Sequence, residues 1–222
     1  MAVWVTLKLA ATSTAILMLL GTPAAWWLAQ TRSRIKPLFE ATVALPLILP
    51  PTVLGFYLLL AFSPEHPFGA SWQHLTGSSL AFSFSGLVIG SVLYSMPFVI
   101  QPLQNAFEQL DPKLLEASRI LGADRKTQFQ KIVMPLCRRS FLTAAALGFA
   151  HTVGEFGVVL MIGGNIPGET QVLAIALYDH VETLEYQRAH YLAAGLLVFS
   201  LAMLISMYSL NRRQMTQRRA VL

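Results

Sequence analysis

Charge is scarce in this 222-residue chain: charged residues make up 12% of it, hydrophobic residues 55%, and the mean hydropathy is +0.56. A soluble domain carries about 25% charged residues. A chain so poor in charge cannot cover its apolar surface in water, and its natural solvent is a bilayer. The single cysteine, Cys137, rules out an internal disulfide. No G-x-x-x-x-G-K-[ST] phosphate loop is present, so ATP hydrolysis by that route is excluded. The apolar runs carry no paired His and Asp and no His/Cys cluster at metal-ligand spacing, so neither a catalytic constellation nor a metal site is expected. Their middles also lack Lys and Arg, which argues against a tight anion site inside the membrane. The net charge of +5 could suggest nucleic acid, but the basic residues sit in short connectors rather than on one face. That distribution sets membrane orientation and implies no nucleic-acid partner.

What the chain does have is long uncharged runs. A membrane-spanning helix needs about 20 apolar residues. By that measure, spans are expected at residues 9–31, 41–63, 80–103, 141–163 and 189–210, the fourth interrupted by Glu155. The expected architecture is all-α: a single polytopic domain, residues 1–222, of about five transmembrane helices. The N-terminal run is too long for a signal peptide, and its basic cluster follows the run, so it reads as a retained span.

Basic residues alternate between connectors. Arg32, Arg34 and Lys36 follow the first run, seven lie between Lys113 and Arg139, and Arg212, Arg213, Arg218 and Arg219 close the chain. Only Lys8 and Arg188 fall on the other side. The positive-inside rule then puts the N-terminus outside and the C-terminus in the cytoplasm. Prolines and glycines recur inside the runs, notably Pro46, Pro50, Pro51, Gly55, Gly86, Gly90 and Pro97. Each proline removes a helical hydrogen bond and kinks the helix. Such kinks suit either a static bundle or helices that bend along a path.

One polar, basic segment stands between apolar runs, "LLEASRILGADRKTQFQKIVMPL" from Leu114 to Leu136. Asp111 is placed to cap a helix starting at Pro112. Leu114, Leu115, Ser118 and Leu121 recur at helical spacing and predict one apolar-to-small face. Gly122 falls where a left-handed terminator is favoured. Asp124 is placed to cap a second helix with Phe129, Ile132 and Val133 on one face, and Pro135 stops or kinks it. The small pair Ala117 and Ser118 leaves room for another backbone. The segment reads as a rigid knuckle, residues 111–135, on the cytoplasmic side.

Glu116, Ala117, Ser118, Gly122, Ile132 and Pro135 match the E-A-A-x3-G-x9-I-x-L-P signature of bacterial ABC importer permeases, with Ser118 for the second alanine and Met134 for the leucine. "LPLILPPTVLGFYLLL" (Leu45 to Leu60) and "GEFGVVLMIGGNIPGETQVLAIALYD" (Gly154 to Asp179) resemble segments of molybdate permeases. The resemblance covers most of residues 40–180. It implies a non-catalytic subunit in the inner membrane of a prokaryote, with no cofactor of its own. It also implies partners: cytoplasmic ABC ATPases that use ATP and Mg, an extracytoplasmic oxyanion-binding protein, and a second copy of the chain. The knuckle residues would couple to the ATPase. Pro50, Pro51, Thr52, Gly55, Ser91, Gly154, Glu155 and Asn165 are the candidates for the path. Hydroxyls of Thr52, Ser83, Ser85, Ser91 and Ser95 would touch the anion weakly.

Sulfate/thiosulfate or tungstate permeases are the near alternatives. A gradient-driven transporter or channel is the alternative from another class; it suits the kinks and Glu155 but leaves the knuckle unexplained. Glu155 is the awkward residue, since a carboxylate within a span is costly and would repel a dianion. It is expected to be held by backbone amides near Asn165, by His151 one turn earlier, or by a subunit contact.

Overall fold

The computed structural model describes the backbone of residues 1–219 and the side chains through residue 209. The basic cluster Arg212, Arg213, Arg218 and Arg219 and the end of the fifth run at Leu210 lie outside the described side chains. The described residues form helices and connecting turns: α1 (Ala2–Gln30), α2 (Lys36–Ile48), α3 (Pro51–Phe62), α4 (Pro67–Thr76), α5 (Phe84–Glu108), α6 (Pro112–Ile120), α7 (Arg125–Gln128), α8 (Met134–Leu136), α9 (Arg138–Val153), α10 (Gly157–Gly163), α11 (Leu173–Glu182) and α12 (Tyr186–Arg219). A π-helical turn, Phe129–Val133, joins α7 to α8. Three described helices, α1, α5 and the Tyr186–Ser209 part of α12, are long and apolar enough to cross a membrane. Two bent pairs raise the number to five if each is one span.

The expected second span is broken rather than kinked: α2 and α3 meet at 111°. The cause is the double proline. A residue before proline is driven out of the α region, and both Leu49 (ψ 134°) and Pro50 (ψ 134°) stand in that position. Isolated prolines are milder, and the helix runs through Pro23, Pro46, Pro97 and Pro102. The expected fourth span is also two pieces. Helix α9 ends at Val153 and α10 begins at Gly157, so Glu155 sits in a turn and not within a helix.

Helices α1, α5 and α9 form the centre, and two apolar clusters run along it. Leu17, Leu28, Val99, Leu103, Phe107, Val133 and Cys137 fill the end nearest the knuckle. Val5, Leu9, Phe62, Leu80, Leu87, Val158, Ile162 and Ile175 fill the opposite end. Helix α2 packs on the knuckle-end half of α5, where Lys36 Nζ meets Glu108 Oε1 at 2.9 Å. Helix α3 packs instead on α10. Gly55 makes that approach possible: a Cβ there would lie 2.8 Å from Met161 Cβ. None of the most apolar stretch of α12 is buried.

Candidate functional site

The knuckle is built from its caps inward. The Asp111 carboxylate accepts from the Lys113 amide at 2.9 Å and starts α6. The helix ends in a Schellman turn: the Ala123 amide donates to the Ser118 carbonyl and the Gly122 amide to the Arg119 carbonyl, both at 2.9 Å. Gly122 has φ 81°, the left-handed conformation the sequence predicts. Asp124 caps α7 by accepting from the Thr127 amide at 3.0 Å. These bonds from Thr127 hold the Asp124 carboxyl below the usual carboxylate range.

A buried side-chain bond locks the two helices together. Gln128 Nε2 donates to the Ser118 hydroxyl at 2.6 Å and to the Leu115 carbonyl at 2.8 Å. The small residue at 118 therefore makes room for a neighbour from the same chain, not for a partner's backbone. Phe129 then anchors the knuckle, packing edge-on against Trp26 of α1 and Phe107 of α5. Pro135 lacks the amide that an α-helix would direct at Lys131. The chain widens there into the π turn, with Met134 N bonded to the Phe129 carbonyl.

The expected apolar face of α6 is narrower than its periodicity suggests. Leu115 and Ser118 face the fold, whereas Leu121 is 87% exposed and Ile120 86%. The Schellman turn rolls the last turn of α6 outward. Glu116, Ala117, Arg119, Ile120 and Leu121 form the exposed tip, with Pro135 exposed and Ile132 half-buried behind it.

The second site is a cavity of about 540 Å³ at the break between α9 and α10. It is lined by Pro51 and Thr52 at the α3 elbow, Tyr94 of α5, His151 and Gly154 at the end of α9, Glu155, and Met161 of α10. Of the expected path residues, Pro51, Thr52, Gly154 and Glu155 come together here. Pro50 adjoins them, Gly55 is buried in the α3–α10 contact, and Ser91 is buried beside Glu155. Gly157 closes the elbow: a Cβ would lie 2.7 Å from Pro51 Cβ.

Asn165 is elsewhere. Its side chain bonds Asp179 of α11 and Gln171 of the loop before that helix. It does not hold Glu155. Nor does His151, whose Nδ1 is 2.8 Å from the Ser95 hydroxyl and whose ring stacks on Phe98 at 3.9 Å. Glu155 is 3% exposed, and both of its oxygens are without a hydrogen-bond partner. The neighbouring Ser91 hydroxyl, also buried, stands beside the carboxyl and likewise makes no hydrogen bond of ordinary length. Of the other hydroxyls, Ser83 caps α5 by accepting from Gly86 N, and Ser95 is committed to His151 and Thr152.

Sequence reasoning missed Tyr94 and offered His151 only as a partner for Glu155. The available signal was the spacing of Ser91, Tyr94 and Ser95, which shares one face of α5. What it lacked was the broken α9–α10 turn that this face meets.

Residues 18–216 match the family described as binding-protein-dependent transport system inner membrane component. The chain is 55% identical to the molybdenum transport system permease protein ModB of Azotobacter vinelandii, over 95% of this chain and 93% of that protein. It is 35% identical to the ModB of Escherichia coli strain K12, over 81% of this chain and 79% of the relative. A sulfate transport system permease protein, CysT of the same strain, is 32% identical over 85% of this chain and 68% of the relative. Among solved structures, a bacterial alginate ABC transporter in complex with its pentasaccharide-bound periplasmic protein superposes with a TM-score of 0.75 at 15% identity, covering 96% of this chain and 77% of that one. The MetNI methionine ABC transporter in inward-facing form gives 0.71 at 18%, covering 96% and 94%. At these identities the two structures share the fold.

Proposed function

The chain belongs to the binding-protein-dependent transport system inner membrane component family, and from that premise we propose that it is the permease subunit of an ATP-driven molybdate importer. The observation that carries the substrate is the 55% identity to a molybdenum permease over nearly the full length of both chains. Tungstate, a dianion of nearly equal size and charge, is expected to follow molybdate, and sulfate to trail. The permease acts as a homodimer by alternating access. Its N-terminus faces outward and its C-terminus the cytoplasm, in line with the distribution of basic residues.

ATP is hydrolysed by partner subunits, and this chain contributes the docking knuckle. The exposed tip, with Glu116, Arg119, Ile120 and Leu121, offers the ATPase both apolar and charged contacts. The Gln128–Ser118 bond lets it move as one piece, because a two-helix tip without internal bonds would absorb the stroke. At the other end, the α2–α3 elbow and the α9–α10 break place two interruptions of the helices beside one cavity. Loose contacts there suit an anion that must leave as readily as it enters.

The test is uptake of radiolabelled molybdate into proteoliposomes holding the chain with its ATPase and binding protein. Tungstate should compete strongly and sulfate weakly, and the isolated chain should show no ATPase activity. Stronger competition by sulfate than by tungstate would assign the chain to sulfate. A reporter fused after Arg219 should behave as cytoplasmic, and one near His66 as extracytoplasmic.

A further inference from the structure

We propose that the side-chain amides of Gln101 and Asn105 contact the oxyanion in the inner half of the path, and so help to determine which anion passes. This rests on the reading of the chain as an oxyanion permease with its knuckle in the cytoplasm. Tyr94, Phe98, Gln101, Asn105 and Gln109 recur at helical spacing, and so share one face of α5 and the residue just past its end. At about 1.5 Å per residue the stripe is about 22 Å long, against a hydrocarbon core of about 30 Å. Tyr94 lines the cavity at the helix break. Asn105 and Gln109 line a second cavity, of about 430 Å³, at the knuckle end. Helix α9 packs on α5 and reaches both cavities, the first through His151 and the second through Ser140. Between the cavities the face carries Phe98, stacked on His151, and then Gln101. The two cavities are thus the ends of one seam.

The seam carries hydrogen-bonding capacity that the chain itself does not use. Gln101 is half-buried and Asn105 exposed, and neither side chain makes a hydrogen bond among the described residues. Gln104, on a neighbouring face of the same helix, is the contrast. It is 8% exposed and donates to Glu40 Oε1 at 2.6 Å and to Glu108 Oε1 at 3.0 Å. A face turned to lipid is apolar, as on α12, where Leu197, Val198, Leu201 and Ile205 are exposed. An amide side chain on such a face would lose bonds that lipid cannot return. Each side-chain amide offers two N–H donors and no charge. That is the chemistry that meets an oxyanion and lets it go. No Lys or Arg lines either cavity to trap it. The acid at the inner cavity, Asp111, has its carboxylate engaged by the Lys113 amide.

The experiment uses the permease–ATPase complex in detergent, with Gln101→Cys and Asn105→Cys. Each is treated with an anionic methanethiosulfonate reagent, and labelling of the permease is read by mass. Wild type, whose one thiol is the buried Cys137, gives the background. Both new cysteines should react. Millimolar molybdate should slow them by about threefold or more, as at a site held at about twice its Kd or above, and chloride of equal ionic strength should not. In proteoliposomes with the binding protein, Gln101→Leu and Asn105→Leu should each lower molybdate uptake by about fivefold, with ATPase co-purification unchanged.

Two results overturn the proposal. One is cysteines that molybdate does not protect although the wild-type complex transports it, including cysteines sealed against the reagent by a second copy. The other is wild-type uptake by both Leu variants. Should one cysteine variant fail to assemble, the other decides. Wild-type uptake of sulfate and not molybdate, with sulfate protecting the cysteines, would sink the molybdate assignment and support the role of the two amides.

Discussion

Gln128 in the knuckle and Glu155 in the cavity are buried to the same degree, each 3% exposed, and live in opposite circumstances. Gln128 uses its amide donors on the Ser118 hydroxyl and the Leu115 carbonyl. Glu155 and the neighbouring Ser91 hydroxyl stand beside each other, with no hydrogen bond of ordinary length to either. A buried polar group without a partner costs about 1–3 kcal/mol. The knuckle is finished within the chain, and the cavity is left open.

Gly122→Val should break the finished side most severely. A β-branched side chain at φ 81° adds strain of roughly 1 kcal/mol or more. No atom lies within 4 Å of the missing Cβ, so the damage is purely conformational. Insertion should survive, while uptake is lost and the ATPase either detaches or hydrolyses ATP without transport. Co-purification and the ratio of ATP used to molybdate moved would show it.

Gly55→Val attacks the open side through its walls. The new side chain overlaps Met161 and the Val158 backbone, an overpacking cost of about 1–3 kcal/mol. Uptake should fall several-fold with ATPase docking intact, which separates it from Gly122→Val.

Gln128→Leu should loosen the knuckle without unfolding it. It strips the Ser118 hydroxyl of its donor, at a cost of about 1–3 kcal/mol, while the Leu115 carbonyl still accepts from that hydroxyl at 2.7 Å. The expected signature is partial uncoupling, read as more ATP consumed per molybdate.

A paired comparison sharpens the contrast directly. Ser118→Ala removes a bonded hydroxyl and should lower the thermal midpoint of the solubilised complex, whereas Ser91→Ala removes an unpartnered one and should change stability by no more than about 0.5 kcal/mol. Equal effects would erase the distinction between the two regions.

The smallest effect concerns acid. The folded Asp124 carboxyl lies below its ordinary value of 3.8. Its cap therefore contributes fully above that value and is lost only as pH falls through the lower folded one. Docking of the ATPase should be the same at about pH 5 and about pH 7 as far as this cap is concerned. Asp124→Ala should weaken docking slightly at both.

Much of the knuckle was legible because its determinants are local. A cap, a left-handed glycine and a proline act over three or four residues, and Asp111, Gly122, Asp124 and Pro135 stand where those rules put them. The fate of Leu121 was not legible, because periodicity says which residues share a face but not where a short helix stops facing the core. Pro50 and Pro51 announced a disturbance. Its size, 111°, follows from two successive residues each forced extended. The cavity was the least legible part. Its lining comes from α3, α5, α9 and α10, and the expected Glu155–His151 pair assumed an unbroken helix that ends at Val153.

By itself the sequence determined the solvent, the apolar runs and the knuckle's caps. These depend on composition and on interactions between near neighbours, which any folded arrangement must respect. The tertiary structure alone decided that Ser118 would be filled by Gln128 of the same chain, that Asn165 would turn to Asp179, and that Glu155 would be buried with nothing to bond. Whether a buried polar group is satisfied depends on which distant side chains the packing brings to it, and the linear order of residues does not encode that distance.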